Sequence, residues 1–273
     1  MEKINIPHVD AVIGLPSEKG LRRAWLDQIN KELAEGGRWI KNWEISKTKR
    51  DREIIAFVQE TVWNYLRYFG RTKKITMPLK NIHLLKVGGV EAISNGEIIH
   101  GMHTDLTGSI TVNRFENDTL FALTLFHEFY HLGAYKVFRI LPIKNGGELI
   151  CWRQGMSGLE KRGNKICFKW AEEAIIEHMT HKFYKQHLQN HPDFPKLKKP
   201  LKLNREVELF DLKEFDRIAR LRNKKNRWKI KNATRVIHLF CVAQSTGHWL
   251  PIARLSRQVF DNSKFFRKMA NHS

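Results

Sequence analysis

Acidic residues are scarce in this chain, at 28 Asp and Glu against 48 Lys and Arg, which leaves a formal net charge of +20. Cysteine is scarcer still: Cys151, Cys167 and Cys241 form an odd set with no CxxC pair. That pattern excludes a disulfide framework and a thiolate zinc site, and it fits a reducing compartment. No run of eighteen apolar residues is present, so no membrane-spanning helix is expected. The opening stretch Met1–Asp10 lacks a basic start followed by an apolar run, so no signal peptide is expected either. These absences predict a soluble, cytoplasmic protein without a membrane partner. What is present suits a folded domain: 273 residues, 42% of them hydrophobic, with eight Trp and sixteen Phe to fill a core.

The charge is unevenly spread. Residues 182–235 hold 17 Lys and Arg against 6 Asp and Glu, or +11 of the +20. Such a segment can neutralise phosphates and steer an acidic partner. It equally reads as a lysine-rich solvated surface, and no nucleic-acid-binding signature accompanies it. Nucleic acid is therefore a possible partner that the sequence does not favour.

Periodicity divides the chain. Arg22–Gly37 and Asp51–Phe69 carry apolar residues at helical spacing, the second with Ile54, Val58, Val62 and Leu66 on one stripe. The period then shortens. Ile82–Val87 reads as a strand, and Asn95-Gly96 between Glu91–Ser94 and Glu97–His100 reads as a hairpin turn. Ser109–Phe115 alternates as a half-exposed strand. Helical spacing returns over 118–138, with Asp118 as a plausible N-cap. A turn at Lys161–Asn164 leads to a strand at Lys165–Trp170, then a helix from Ala171 to about Leu188. Pro192, Pro195 and Pro200 mark a basic linker at 191–204. The expected organisation is a core at 1–190, that linker, and a helical C-terminal lobe at 205–273. Three helices are expected in that last part, at Arg205–Arg222, Asn232–Gln244 and Ile252–Met269.

One stretch carries chemistry: His127-Glu128-Phe129-Tyr130-His131. On a helix, positions i and i+4 lie about 40° apart around the axis, so the two imidazoles point the same way. They suit adjacent corners of a tetrahedral zinc site. Glu128 is turned away by about 100° and serves better as a general base for a zinc-bound water than as a ligand. No other charged residue occurs from Thr119 to Tyr135, as befits a buried helix, and burying three ionisable groups without a metal would be costly. A third ligand is still needed. The pattern that continues with Gly and His is absent, since Ala134 and Val137 stand there. Glu173 and Glu177 share one face of the next helix. One of them can bind the metal while the other hydrogen-bonds a ligand histidine.

His127–His131 followed by Trp170-Ala171-Glu172-Glu173-Ala174-Ile175-Ile176-Glu177 resembles the gluzincin metallopeptidases, the group that includes thermolysin and the zinc aminopeptidases. The resemblance covers Ser109 to just past Glu173. It implies His127 and His131 as zinc ligands, Glu128 as general base, Glu173 as third ligand and Glu177 as the acid supporting a ligand. Glu172 stands where Asn is usual. It shares a stripe with Ile176, Met179 and Phe183, so Glu173 is preferred, and His178 and His181 are rival ligands. The implied fold is α+β and zincin-like: a small, mostly antiparallel sheet packed on the active-site helix, with Ser109–Phe115 as the edge strand that receives substrate. Tyr184, His238 and His248 are candidates to stabilise an oxyanion.

The expected activity is zinc-dependent hydrolysis of peptide bonds in a peptide or protein, with one Zn2+. Alternatives are a nucleic-acid-associated protease resembling the SprT-like enzymes, a cytoplasmic repressor-cleaving protease, and a non-catalytic zinc-binding protein.

Overall fold

Thr48 starts the longest helix by a capping box. Its hydroxyl accepts from the Asp51 amide, and the Asp51 carboxylate accepts from the Thr48 amide. The computed structural model describes residues 9–14, 18–20, 22–24, 27, 40, 42–94, 99–105, 108–143, 146–159, 166–197 and 234–260. The expected Arg205–Arg222 helix, the turns at Asn95-Gly96 and Lys161–Asn164, and most of the Arg22–Gly37 helix lie outside these residues, as do 198–204 of the basic linker.

The architecture is mixed α and β. In chain order the elements are β1 (Ala11–Ile13), α1 (Lys49–Tyr68), β2 (Ile82–Leu85), α2 (Gly89–Ile93), β3 (Gly101–Thr104), β4 (Ser109–Asn113) and α3 (Asp118–Gly133). They continue with β5 (Lys136–Ile143), β6 (Gly146–Gln154), β7 (Ser157–Leu159), β8 (Ile166–Cys167), α4 (Lys169–Phe183), α5 (Thr234–Thr246) and α6 (Leu250–Phe260). A π-helical turn at Tyr184–Leu188 extends α4.

Two small sheets result. The first has the order β2-β4-β3, with β2 parallel and β3 antiparallel to β4. The second has the order β1-β5-β6-β7-β8 and is antiparallel except where β1 meets β5. The first sheet corrects the expected topology. Ser109–Asn113 is its central strand, not an edge, and Ile110, Thr111, Val112 and Asn113 are all buried. The edge nearest α3 is β3. The first arm of the expected hairpin is not a strand, because residues 89–93 form a one-turn helix. Gly88 sets it up in the left-handed region (φ 89°), and the Asn113 side chain accepts from the Val90 amide.

The third helix starts and ends differently from its periodicity. Its N-cap is Asn117, whose side chain accepts from the amides of Thr119 and Leu120. It stops at Gly133, and residues 136–143 pair with β1 on one side and β6 on the other, which overrides their helical spacing. Nearly all of α3 is buried. Val62 and Leu66 of α1 lie over Gly133, where a Cβ would strike Leu66. Phe126 stacks on Phe183 of α4, with ring centroids 4.4 Å apart. Each such ring buried contributes about 1.5–3 kcal/mol relative to exposure.

The fourth helix follows Phe168, which takes a left-handed conformation (φ 62°) uncommon for a residue with a side chain. Packing of its ring on Trp249 at 4.7 Å holds it there. Phe240, Cys241 and Ala243 of α5 and Ile252 and Leu255 of α6 belong to the same core cluster as α1, α3 and α4. The described C-terminal helices thus help to shape the centre of the molecule. Among the described residues no helix is long and apolar enough to cross a membrane.

Candidate metal centre

The crossing of α3 and α4 brings three donors to one point. His127 Nε2 and His131 Nε2 are 3.2 Å apart. Glu173 Oε2 lies 3.6 Å from the first and 3.4 Å from the second. Metal–ligand bonds of about 2.0–2.1 Å at a tetrahedral centre set donors about 3.3–3.4 Å apart. The three separations match that spacing, so the chain's own residues fit a small divalent cation. Among the described residues, His127, His131 and Glu173 can hold a metal ion, and neither His178 nor His181 joins them.

Charge reinforces the geometry. Burial would push the His131 imidazole down, but the carboxylates of Glu173 and Glu172 outweigh it and hold it at about 10. Burial would likewise raise Glu173, yet the two histidines hold it well below the usual carboxylate range. The cluster is a locus of negative potential that draws a cation, either a metal or a proton.

Behind the donors, each ligand histidine has a carboxylate on its far side. His131 Nδ1 meets Glu172 Oε1 at 3.3 Å. An Nδ1–H donating to that carboxylate leaves the Nε2 lone pair facing the centre. Glu172 is itself fixed: its Oε2 accepts from the Ser157 amide at 3.2 Å and its Oε1 from Gln244 Nε2 at 3.3 Å. His127 Nδ1 lies 3.7 Å from Glu177 Oε2. That is an ion-pair separation, longer than a hydrogen bond. The expected supporting acid is Glu177, but Glu172, set aside as a ligand, is the buried acid in hydrogen-bonding reach of one of the donor histidines.

Glu128 is 7% exposed and is held from β3: its Oε2 lies 3.0 Å from His103 Nδ1. Burial would raise its carboxyl, but the His103 hydrogen bond and the nearby charges of His127 and His131 hold it below the ordinary value. Beyond His103, Asp105 pairs with the fully buried Lys136 at 2.5 Å. Sequence reasoning missed His103, Gln154 and Gln244. The clue available for His103 was its place two residues after Gly101 on a short strand, which gives a face but not a partner.

Of the candidate oxyanion stabilisers, neither His238 nor His248 joins the donor cluster. His238 packs on the rings of Tyr68 and Phe69, Tyr184 lies against the main core, and the His248 amide donates to Thr246 Oγ1. Compared with family models, with curated proteins and with solved structures, the chain finds no match. The reading of the site therefore rests on its own geometry.

Proposed function

We propose that this protein is a zinc-dependent peptidase of the gluzincin type, hydrolysing peptide bonds at His127, His131 and Glu173. The observation that carries the reading is a set of three protein donors, with no fourth among the described residues, and a carboxylate on the residue after the first. Structural zinc sites close the tetrahedron with protein ligands, commonly thiolates, whereas catalytic sites leave one position open. A bound zinc ion supplies Lewis acidity, polarising a carbonyl and bringing the acidity of a water near neutrality.

The chain's own groups do the rest. His131 is oriented by Glu172, and His127 is flanked by Glu177. Glu128 is held through Oε2 by His103, and its carboxylate takes a proton from the attacking water and returns it to the leaving amine. The buried helix around it excludes bulk solvent and strengthens each of these electrostatic contacts.

The test is a pair of measurements on one variant. Glu128→Gln is expected to bind zinc stoichiometrically, as the wild type does, and to lose hydrolysis of a quenched-fluorescent peptide mixture by 100-fold or more, on the order expected for a general base. Turnover equal to the wild type in that variant would remove Glu128 from the reaction. Zinc binding without hydrolysis by the wild type would favour a binding role.

A further inference from the structure

Strand β3 meets the active-site helix with two residues of one face, Gly101 and His103, and both touch Glu128. Resting on the peptidase reading, we propose that this Gly-x-His pair is the device that positions the general base, with His103 a positioning residue that holds Glu128 in a single rotamer.

Two independent features carry this. The first is space. A Cβ at Gly101 would stand 2.9 Å from Glu128 Cγ, 2.9 Å from Thr124 Cγ2 and 3.0 Å from Glu128 Oε1, closer than real Cβ atoms approach. The glycine lets the carboxylate lie flat against the strand. Positions i and i+2 of a strand share a face, which sets His103 beside the same side chain.

The second is direction. Gln154 Nε2 lies 2.7 Å from His103 Nε2 and 3.3 Å from the His131 carbonyl. An amide nitrogen there donates to both, so His103 Nε2 is the acceptor and the proton resides on Nδ1. The Nδ1–H donates to Glu128 Oε2, while Oε1 lies against Gly101, so both oxygens of the carboxylate are placed by β3. The His103 ring also stacks on His131, centroids 4.6 Å apart at 18°. One imidazole thus ties the base on α3 to the β6 end at Gln154. Asp105 Oδ1 stands 3.6 Å from His103 Nε2, a contact that by itself favours a proton there, but Lys136 Nζ lies 2.5 Å from the same oxygen and offsets its charge.

The experiment has one readout that needs no turnover. In zinc-loaded wild-type protein at mildly alkaline pH, ring nitrogen NMR is expected to show His103 protonated at Nδ1, with that proton in slow exchange. It should exchange freely in Glu128→Ala. In turnover, His103→Leu is expected to keep zinc affinity and lose kcat by about 10- to 100-fold, the range typical when an outer partner of a catalytic centre is removed. His103→Asn places an amide N–H near the Nδ1 position and should recover most of the loss. Gly101→Ala should bind zinc and lose kcat likewise.

An Nε2-protonated His103 in the wild type overturns the proposal, as does full kcat in His103→Leu. If zinc-loaded wild type hydrolyses nothing, the peptidase reading falls and the ring tautomer decides alone: Nδ1–H retains the hold on Glu128, and Nε2–H removes it.

Discussion

Replacing Glu172 by Gln tests the metal centre more sharply than removing a ligand, because the substitution preserves shape and changes only what the two oxygens can do. Glu172 is 2% exposed and accepts from three donors: His131 Nδ1, the Ser157 amide and Gln244 Nε2. A glutamine has one acceptor end. With its oxygen toward His131 and Gln244, its amide group faces the Ser157 N–H. Turned over, the amide group faces the imidazole and Gln244 instead. Either orientation opposes a donor to a donor, and one buried hydrogen bond left unmade costs about 1–3 kcal/mol. The imidazole also loses the charge that favours its Nδ1–H tautomer. Losing such a partner typically weakens metal binding by about 10- to 100-fold, or about 1.4–2.7 kcal/mol. The assay is zinc competition against a chromophoric chelator, with thermal unfolding of the metal-free protein as control for the structural part. Glu177→Gln provides the comparison: its carboxylate is 3.7 Å from His127 Nδ1, so less than tenfold weakening is expected, on the scale of a partly exposed ion pair. The reasoning is refuted if Glu172→Gln binds zinc as tightly as wild type, or if Glu177→Gln weakens binding the more of the two.

Two further perturbations probe the frame around the site. Gly155 has φ 49° in the turn between β6 and β7, and a Cβ there would collide with the Gln244 amide. Gly155→Ala should lower stability by about 1–3 kcal/mol in denaturant unfolding and loosen zinc binding through Glu172. Asp51 is buried, and although burial raises its carboxyl, hydrogen bonds from Thr48 and the Arg114 charge hold it below the ordinary value. Its folded pKa is depressed, so its contribution is complete above the unfolded value of about 3.9 and disappears as pH falls through the folded value. Wild type should exceed Asp51→Asn by about 1.5–3 kcal/mol near neutral pH, with the gap closing below about pH 4 in unfolding curves.

The parts of the site that could be read from sequence are those that a single helix fixes. His127 and His131 share a face through the 3.6-residue turn alone, and the fold brings both to the donor cluster. Glu173 entered through a likeness to other zinc helices, and the second helix supplies the third donor. Helical spacing set Glu172 on a different stripe from Glu173, but a stripe reports which way a side chain points and not what it will meet. The same limit applies to the sheet. Alternation identified Ser109–Phe115 as a strand, yet whether it is central or an edge depends on two other strands finding it. Residue 82 pairs with residue 110 and residue 101 with residue 112, and no local pattern specifies those meetings.

The groups that escaped detection are those that reach the helices from afar. His103 is 25 residues before its partner Glu128, Gln154 is 51 residues from His103, and Gln244 is 72 residues from Glu172. Each comes from a different element: the edge strand, the β6 end and the first described C-terminal helix. Two helices suffice to collect the donors, but three unrelated segments orient them and the base. A metal needs the first arrangement in order to bind, whereas a reaction sensitive to misplacement of about 1 Å depends on the second. The physical separation predicts a functional one. Variants at His103, Gly101 and Glu128 should divide from variants at Glu172 by losing turnover at full metal affinity, because the first group touches the proposed base and Glu172 touches a proposed ligand.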